Sequence, residues 1–154
     1  MYDQEIKQAS QAFGVPVDVI QAVIDIESTW DPKAYRFESD VPYLSNDPVF
    51  KGQDASYGLM QMLYSTAKYE LGYSGAPGNA ESLSGMFNPA TNINLGTNYL
   101  AKLYSRYGNW IDTVAAYNGG SAAVNNKKNG VYPNQWHVDK FLAAWDRYKK
   151  KILQ

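Results

Sequence analysis

Apolar residues recur every three or four positions along most of this chain, and glycines interrupt the pattern. Near the start, Ile6, Ala9 and Phe13 follow this spacing and Gly14 ends it. The spacing is that of a helix that buries one face, and a glycine after the last turn is a common helix end. The chain is therefore predicted to be all-α, with at most a small β hairpin before Gly58.

The helical spacing stops between Arg36 and Asp54. Two prolines, a glycine and several aspartates fill this stretch, which predicts a long surface loop. Long loops in compact domains are often functional. The aspartates do not match the spacing of a calcium-binding loop, so no metal is expected to bind here.

Composition excludes several classes of site. The 154 residues suit one domain, predicted to span 1–154, and to be a monomer. With no cysteine and one histidine, His137, the chain offers neither a thiolate nor a histidine-rich metal site. We therefore expect no metal and no cofactor. The net charge of -1 argues against nucleic acid as a partner.

Two further patterns concern membranes and export. No apolar run approaches the roughly 18 residues that a membrane-spanning helix needs. The first ten residues, MYDQEIKQAS, are polar and lack the features of a secretory signal.

Glu27 stands out because its position in its helix should be apolar. It follows Ile20 by seven residues, Val23 by four and Ile24 by three, and these offsets place it on the same helix face. Burial of a carboxyl group favours its protonated form, which a general acid needs. Periodicity leaves a second interpretation open, in which Glu27 ends its helix, turned to solvent or paired with a lysine.

Four short motifs occur in order along the chain. They are Glu27-Ser28, Ser56-Tyr57-Gly58-Leu59-Met60-Gln61, Asn92-Ile93 with Gly96, and Ala116-Tyr117-Asn118-Gly119-Gly120. Together they resemble the motifs of the soluble (SLT) type of lytic transglycosylase, including phage-associated members. The resemblance covers nearly the whole chain and implies a lysozyme-like α+β fold, with one helical domain and a cleft that binds peptidoglycan strands.

The resemblance also implies a reaction and a set of site residues. Glu27 would act first as acid and then as base, cleaving the β-1,4 bond between N-acetylmuramic acid and N-acetylglucosamine and leaving a 1,6-anhydromuramoyl end. Tyr117 would hold Glu27 or the substrate acetamido group in place. The further residues expected to contact or shape the substrate site are Ser28, Ser56, Gly58, Met60, Gln61 and Asn118. For several of these a structural role is the alternative: core packing for Met60 and Tyr117, a turn for Ser56, and a helix cap for Asn118.

Two other functions stay open. Glu27 and Gln61 lie 34 positions apart, more than in the common family pattern, and Glu38 or Asp40 in the intervening loop could supply a second carboxylate. A hydrolase similar to goose-type lysozyme would use such a pair, although Glu38 could simply pair with Arg36. A non-catalytic cell-wall binding module is the alternative of another class. We expect the protein in the periplasm or cell wall, or in a phage particle.

Overall fold

The computed structural model describes residues 1–152. In chain order the helices are α1 (Asp3–Phe13), α2 (Val17–Ser28), α3 (Tyr64–Tyr69), α4 (Pro89–Tyr107), α5 (Trp110–Gly119), α6 (Ser121–Asn125) and α7 (Gln135–Ile152). The strands are β1 (Tyr35–Glu38), β2 (Asp54–Tyr57) and β3 (Met62–Leu63). None of the described helices is both long and apolar enough to cross a lipid bilayer.

The chain forms two compact units. One, the helical unit, contains Asp3–Ile26 and the described chain from Thr97 onward. The other, the sheet unit, contains Glu27–Gly96. The boundaries fall within α2 and α4, so each of these helices belongs to both units.

Asparagine side chains and a glycine mark several helix ends in this chain. The side chain of Asn88 accepts a hydrogen bond from the Thr91 amide at 3.0 Å at the start of α4. In the same way Asn109 accepts from the Asp112 amide at 2.9 Å before α5. Gly14 follows α1 with φ of 72°, a conformation that costs glycine little because it has no Cβ.

The core of the helical unit consists of the predicted apolar faces. Val19, Ile20 and Val23 of α2 are fully buried, as are Leu100 of α4 and Phe141 of α7. Helix α5 packs against both α6 and α7. The helical prediction is therefore confirmed for this unit.

The sheet unit contains an antiparallel sheet in the order β1-β2-β3. In its register Tyr35 pairs with Tyr57, and Tyr57 in turn pairs with Met62. The predicted hairpin before Gly58 is present as β1 and β2, and the third strand is an addition to it. Residues 36–38 and 54 were predicted to lie in the long loop, but cross-strand hydrogen bonding makes them part of β1 and β2.

The remaining loop, residues 39–53, has internal structure. Its ends meet where the Val41 amide donates to the Gly52 carbonyl at 2.9 Å. Leu44 and Phe50 are buried, and the Phe50 ring packs against Tyr64 at a centroid distance of 5.3 Å. Asp47 fixes the turn before Phe50 by accepting a hydrogen bond from the Val49 amide at 2.8 Å.

Candidate functional site

Glu27 lies in the last turn of α2, one residue before the helix ends at Ser28. Its side chain is half-buried, and the Oε1 atom is shielded from solvent. Thr29 and Trp30 then take positive φ values of 52° and 65°, which turn the chain away from the helix axis. The half-buried carboxyl group agrees with the position predicted from the helical spacing.

The motif Gly58-Leu59-Met60-Gln61 forms the turn between β2 and β3. Gly58 and Gln61 both have positive φ, at 72° and 49°. The backbone amide of Gln61 and its side-chain Nε2 donate to the Gly58 carbonyl at 3.1 and 3.0 Å. Gln61 is half-buried, so this turn holds the side chain in a fixed place with part of it open to a ligand.

Two other residues of this motif are buried. Met60 is fully buried, and a Cβ added at Gly96 would lie 2.5 Å from its sulfur. Leu59 is also fully buried. The structure therefore favours the core-packing alternative for the Met60 side chain over contact with a ligand.

Ser56 and Gly58 are also closely surrounded. Ser56, 9% exposed, pairs with Arg36 and Leu63 on the two flanking strands. At Gly58 a Cβ would lie 2.6 Å from the Asn92 amide nitrogen and 2.9 Å from the Met86 carbonyl oxygen. Packing inside the sheet unit thus requires a glycine here.

The structure assigns a role to Asn92 that its motif alone did not indicate. Its fully buried amide donates to the carbonyls of Tyr57 and Met86 at 2.7 and 2.8 Å, and accepts from the Met60 amide at 2.7 Å. Asn92 therefore ties the turn to α4. Its helical spacing to Gly96 and Leu100, on the apolar face of α4, was the signal in the sequence.

Two carboxylates near the ends of the predicted loop, Asp54 and Glu38, have structural partners. The buried Asp54 carboxylate accepts from the Ser65 amide at 3.3 Å and from the Ser65 hydroxyl, and so caps the start of α3. Glu38 pairs with Arg36 at an Nε–Oε1 distance of 3.4 Å. This is the pairing expected if Glu38 is not a second catalytic carboxylate.

A groove of about 230 Å³ lies on the sheet unit. Strand alternation places its residues Tyr35, Phe37 and Tyr57 on the opposite sheet face from Ser56. Burial raises the pKa of the Tyr57 phenol to about 12, with smaller contributions from Tyr35 and Asp54, so this hydroxyl remains protonated. None of the predicted site residues lines the groove.

In the helical unit, Tyr117 and Asn118 occupy the last turn of α5. The half-buried Tyr117 ring packs against Tyr99 at a centroid distance of 5.5 Å. Asn118 is exposed, and its Oδ1 accepts from Asn134 Nδ2 at 2.9 Å. The helix continues to Gly119 and its C-cap is Gly120, so the alternative in which Asn118 serves as the helix cap is wrong.

Among the described residues, no group of three or more His, Asp or Glu side chains could hold a metal ion. Asp25, two residues before Glu27, pairs with Arg147 at 2.7 Å across the helical unit. The Asp25 side chain is 21% exposed, and its carboxylate is occupied by this ion pair.

Known proteins resemble this chain over most of its length. The family model for the transglycosylase SLT domain matches residues 4–137. Membrane-bound lytic murein transglycosylase C of Shigella sonnei is 33% identical over 127 residues, covering 77% of this chain and 31% of that protein. The chain thus spans about a third of this curated relative.

Solved structures share the fold. The 70 kDa soluble lytic transglycosylase of Escherichia coli superimposes with a TM-score of 0.70 and 26% identity, over 99% of this chain and 24% of that one. An inactive mutant of the lytic transglycosylase Slt from Pseudomonas aeruginosa gives a TM-score of 0.69 and 22% identity, over 97% and 24%. The lysozyme-like fold predicted from the motifs is confirmed, and the chain belongs to the transglycosylase SLT domain family.

Proposed function

We propose that this chain is a peptidoglycan lytic transglycosylase domain in which Glu27 is the single acid and base. The observation that carries the proposal is the half-buried Glu27 carboxyl group at the end of α2, with Oε1 shielded from solvent. A carboxyl group that acts first as an acid must hold a proton near the working pH, and partial burial favours that form. Membership of the SLT domain family supports the assignment.

The first step breaks the bond between N-acetylmuramic acid and N-acetylglucosamine. Protonated Glu27 donates its proton to the glycosidic oxygen, which leaves with the N-acetylglucosamine unit. The acetamido oxygen of the muramic unit attacks the anomeric carbon from the opposite face. Because the substrate supplies this nucleophile, the enzyme needs no second carboxylate, unlike the usual glycosidase pair.

The second step closes a ring within the sugar. Ionised Glu27 accepts the proton of the muramic 6-hydroxyl, and that oxygen displaces the acetamido oxygen at the anomeric carbon. A 1,6-anhydro end forms, no water is consumed, and Glu27 is protonated again for the next cycle. We assign substrate contacts to Ser28, Ser56, Gln61, Tyr117 and Asn118, while Gly58 and Met60 shape the turn that carries Gln61.

The setting follows from the substrate. We propose that the domain acts on peptidoglycan strands as a monomer, in the periplasm or cell wall or as part of a phage particle.

A related structure is a complex of the 70 kDa soluble lytic transglycosylase with bulgecin A, with a TM-score of 0.70 and 26% identity over 99% of this chain and 24% of that one. We therefore expect bulgecin A to bind this chain as well, which makes it a useful probe.

The test is digestion of purified peptidoglycan followed by mass analysis of the fragments. Anhydro ends, one water lighter than hydrolysed ends, are expected. Reducing ends alone would instead identify a hydrolase of the goose-type lysozyme kind. Binding without any cleavage would identify a non-catalytic wall-binding module.

A matched pair of variants tests the role of Glu27. Glu27→Gln keeps the shape of the side chain but can neither donate nor accept the proton, so cleavage should fall about 10²- to 10⁴-fold. Asp25→Asn changes a carboxylate on the same helix that pairs with Arg147, and it should leave the rate within about twofold. Near-normal turnover by Glu27→Gln would remove the central claim.

A further inference from the structure

Asn134 lies just before α7, the position where an asparagine usually caps a helix with its side-chain oxygen. Here the amide is turned the other way. Its Nδ2 donates to the Ala115 carbonyl at 2.9 Å and to Asn118 Oδ1 at 2.9 Å. Its Oδ1 is buried and has no hydrogen-bond partner among the described residues.

Leaving the Asn134 oxygen unpaired lowers the stability of the fold, so the two hydrogen bonds donated by Nδ2 must favour this orientation. A buried polar atom without a partner destabilises a fold, and natural structures contain few of them. Reversing the amide would be worse, because the Asn134 oxygen would then face the Ala115 carbonyl, which can only accept. The orientation of Asn134 is therefore set by α5, whose main chain accepts one of the two N–H bonds.

The orientation of Asn134 determines that of Asn118. Because the second N–H of Asn134 points to Asn118, Asn118 must present its oxygen to Asn134, as the structure has it. The Nδ2 of Asn118 then points elsewhere, and Asn118 is exposed. Asn118 Oδ1 makes the contact with Asn134, and within the described part of the chain no acceptor is seen for Asn118 Nδ2. This N–H group is therefore a donor open to a ligand.

Gly119 provides an independent observation. Its φ is not in the left-handed region, so backbone conformation does not explain the glycine. A Cβ at this position would lie 3.0 Å from Asn134 Nδ2 and 3.0 Å from the Ala123 Cβ, closer than most Cβ contacts. The missing side chain leaves space for the Asn134 amide beside the end of α5.

We propose that Asn134 is a positioning residue that orients the Asn118 amide, so that Asn118 donates an N–H to an acetamido carbonyl oxygen of the glycan. This rests on the function proposed above, and it names the group on the substrate that Asn118 recognises. An acetamido oxygen is an acceptor, and it occurs on both sugars of the alternating strand. If the Asn118 amide were flipped, its Oδ1 would face the acetamido oxygen, and the two acceptors would repel each other.

Kinetics on soluble, uncross-linked glycan strands test the pair. Asn134→Leu removes both donors at similar volume, and the loss of one neutral hydrogen bond should raise KM about fivefold with kcat within about twofold. Asn118→Ala should raise KM by a similar factor. The double variant should be no worse than Asn118→Ala alone, because Asn134 acts through Asn118. KM effects that multiply in the double variant would overturn the proposal.

Two further variants separate orientation from folding. Asn118→Asp keeps an oxygen for Asn134 but replaces the outward N–H, so it should fold normally and lose affinity. Asn125→Leu is the control: it makes the same change from asparagine to leucine at an exposed position of the same unit. It should leave KM unchanged. Full affinity in Asn118→Asp would contradict a donor role for Asn118.

An NMR measurement decides the question without cleavage. In the ¹⁵N-labelled protein the Asn134 side-chain amide protons should exchange slowly with solvent and those of Asn118 quickly. Addition of an N-acetylglucosamine tetramer should shift the Asn118 side-chain amide signal, and Asn134→Leu should weaken that response. Slow exchange at Asn118 with fast exchange at Asn134 would reject the orientation. Absence of glycan cleavage by the wild type would reject only the proposed function.

Discussion

The main-chain amide of Met60 donates a 2.7 Å hydrogen bond to the side-chain oxygen of Asn92, 32 residues further along the chain. The side-chain nitrogen of Asn92 donates hydrogen bonds to the carbonyls of Tyr57 and Met86. One buried amide thus binds three main-chain groups, two of them in β2 and the turn that follows it and the third, the Met86 carbonyl, just before α4. The position of Gln61 in this turn depends on that amide.

We expect Asn92→Ala to lower the free energy of unfolding by about 3–5 kcal/mol, because it removes three buried hydrogen bonds. Chemical denaturation measures the change. Asn94→Ala, at an exposed position two residues away on α4, is the matched control and should cost under about 1 kcal/mol. Equal effects from the two variants would show that the Asn92 hydrogen bonds contribute little.

Gly58 should tolerate no side chain, for two separate reasons. Its φ is 72°, and a Cβ would lie 2.6 Å from the Asn92 amide nitrogen. Gly72 has nearly the same φ, 73°, but a Cβ there would have no other atom within 4 Å. Gly72→Ala should therefore cost about 1 kcal/mol and Gly58→Ala clearly more, about 3 kcal/mol or above. Thermal unfolding of both variants measures the difference, and similar losses would mean that the Asn92 side chain can move aside.

The helices were predictable from sequence because each of their signals is local. An apolar stripe, an asparagine cap and a terminating glycine all lie within one helix, as Asn88 and the faces of α1 and α2 illustrate. The sheet was only partly predictable. Strand β3 has two residues, too few for an alternating pattern, and its pairing with β2 depends on the turn at Gly58.

A pH dependence is expected at Asp112 in the helical unit. Burial alone would raise the pKa of its carboxyl group, but hydrogen bonds from Tyr132, Asn109 and Lys127 outweigh burial, and the pKa lies below its ordinary 3.8. A carboxyl group with a lowered folded-state pKa stabilises the fold above the unfolded value. This contribution should start to fall as the pH drops towards 3.8 and disappear below the folded-state pKa.

Denaturation of the wild type and Asp112→Asn across this pH range measures the contribution. The variant should be less stable than the wild type at neutral pH, and the difference should shrink on acidification. Tyr132→Phe removes one donor and should cost about 1 kcal/mol at neutral pH. A difference between wild type and Asp112→Asn that is constant with pH would exclude the lowered pKa as its cause.

The sequence motifs predicted which residues form the candidate site, but not how each of them packs. The four motifs singled out Glu27 and Gln61 as candidates, and helical spacing placed Glu27 at the edge of an apolar face. The spacing could not show that Met60 is fully buried or that Asp54 caps α3. Nor could it reveal Asn134, because its partners Ala115 and Asn118 precede it by 19 and 16 residues.

Glu38 distinguishes the single-carboxylate mechanism from the two-carboxylate one. Its side chain is 35% exposed and paired with Arg36, whose side chain is 77% exposed, and such exposed pairs contribute little to stability. Glu38→Gln should therefore fold normally and cleave peptidoglycan within about twofold of the wild-type rate, with the same anhydro ends. Glu27→Gln assayed in parallel supplies the scale for loss of the proposed catalytic carboxylate. A loss of about 100-fold or more in Glu38→Gln would make Glu38 the second carboxylate of a hydrolase, and the wild-type products should then carry reducing ends.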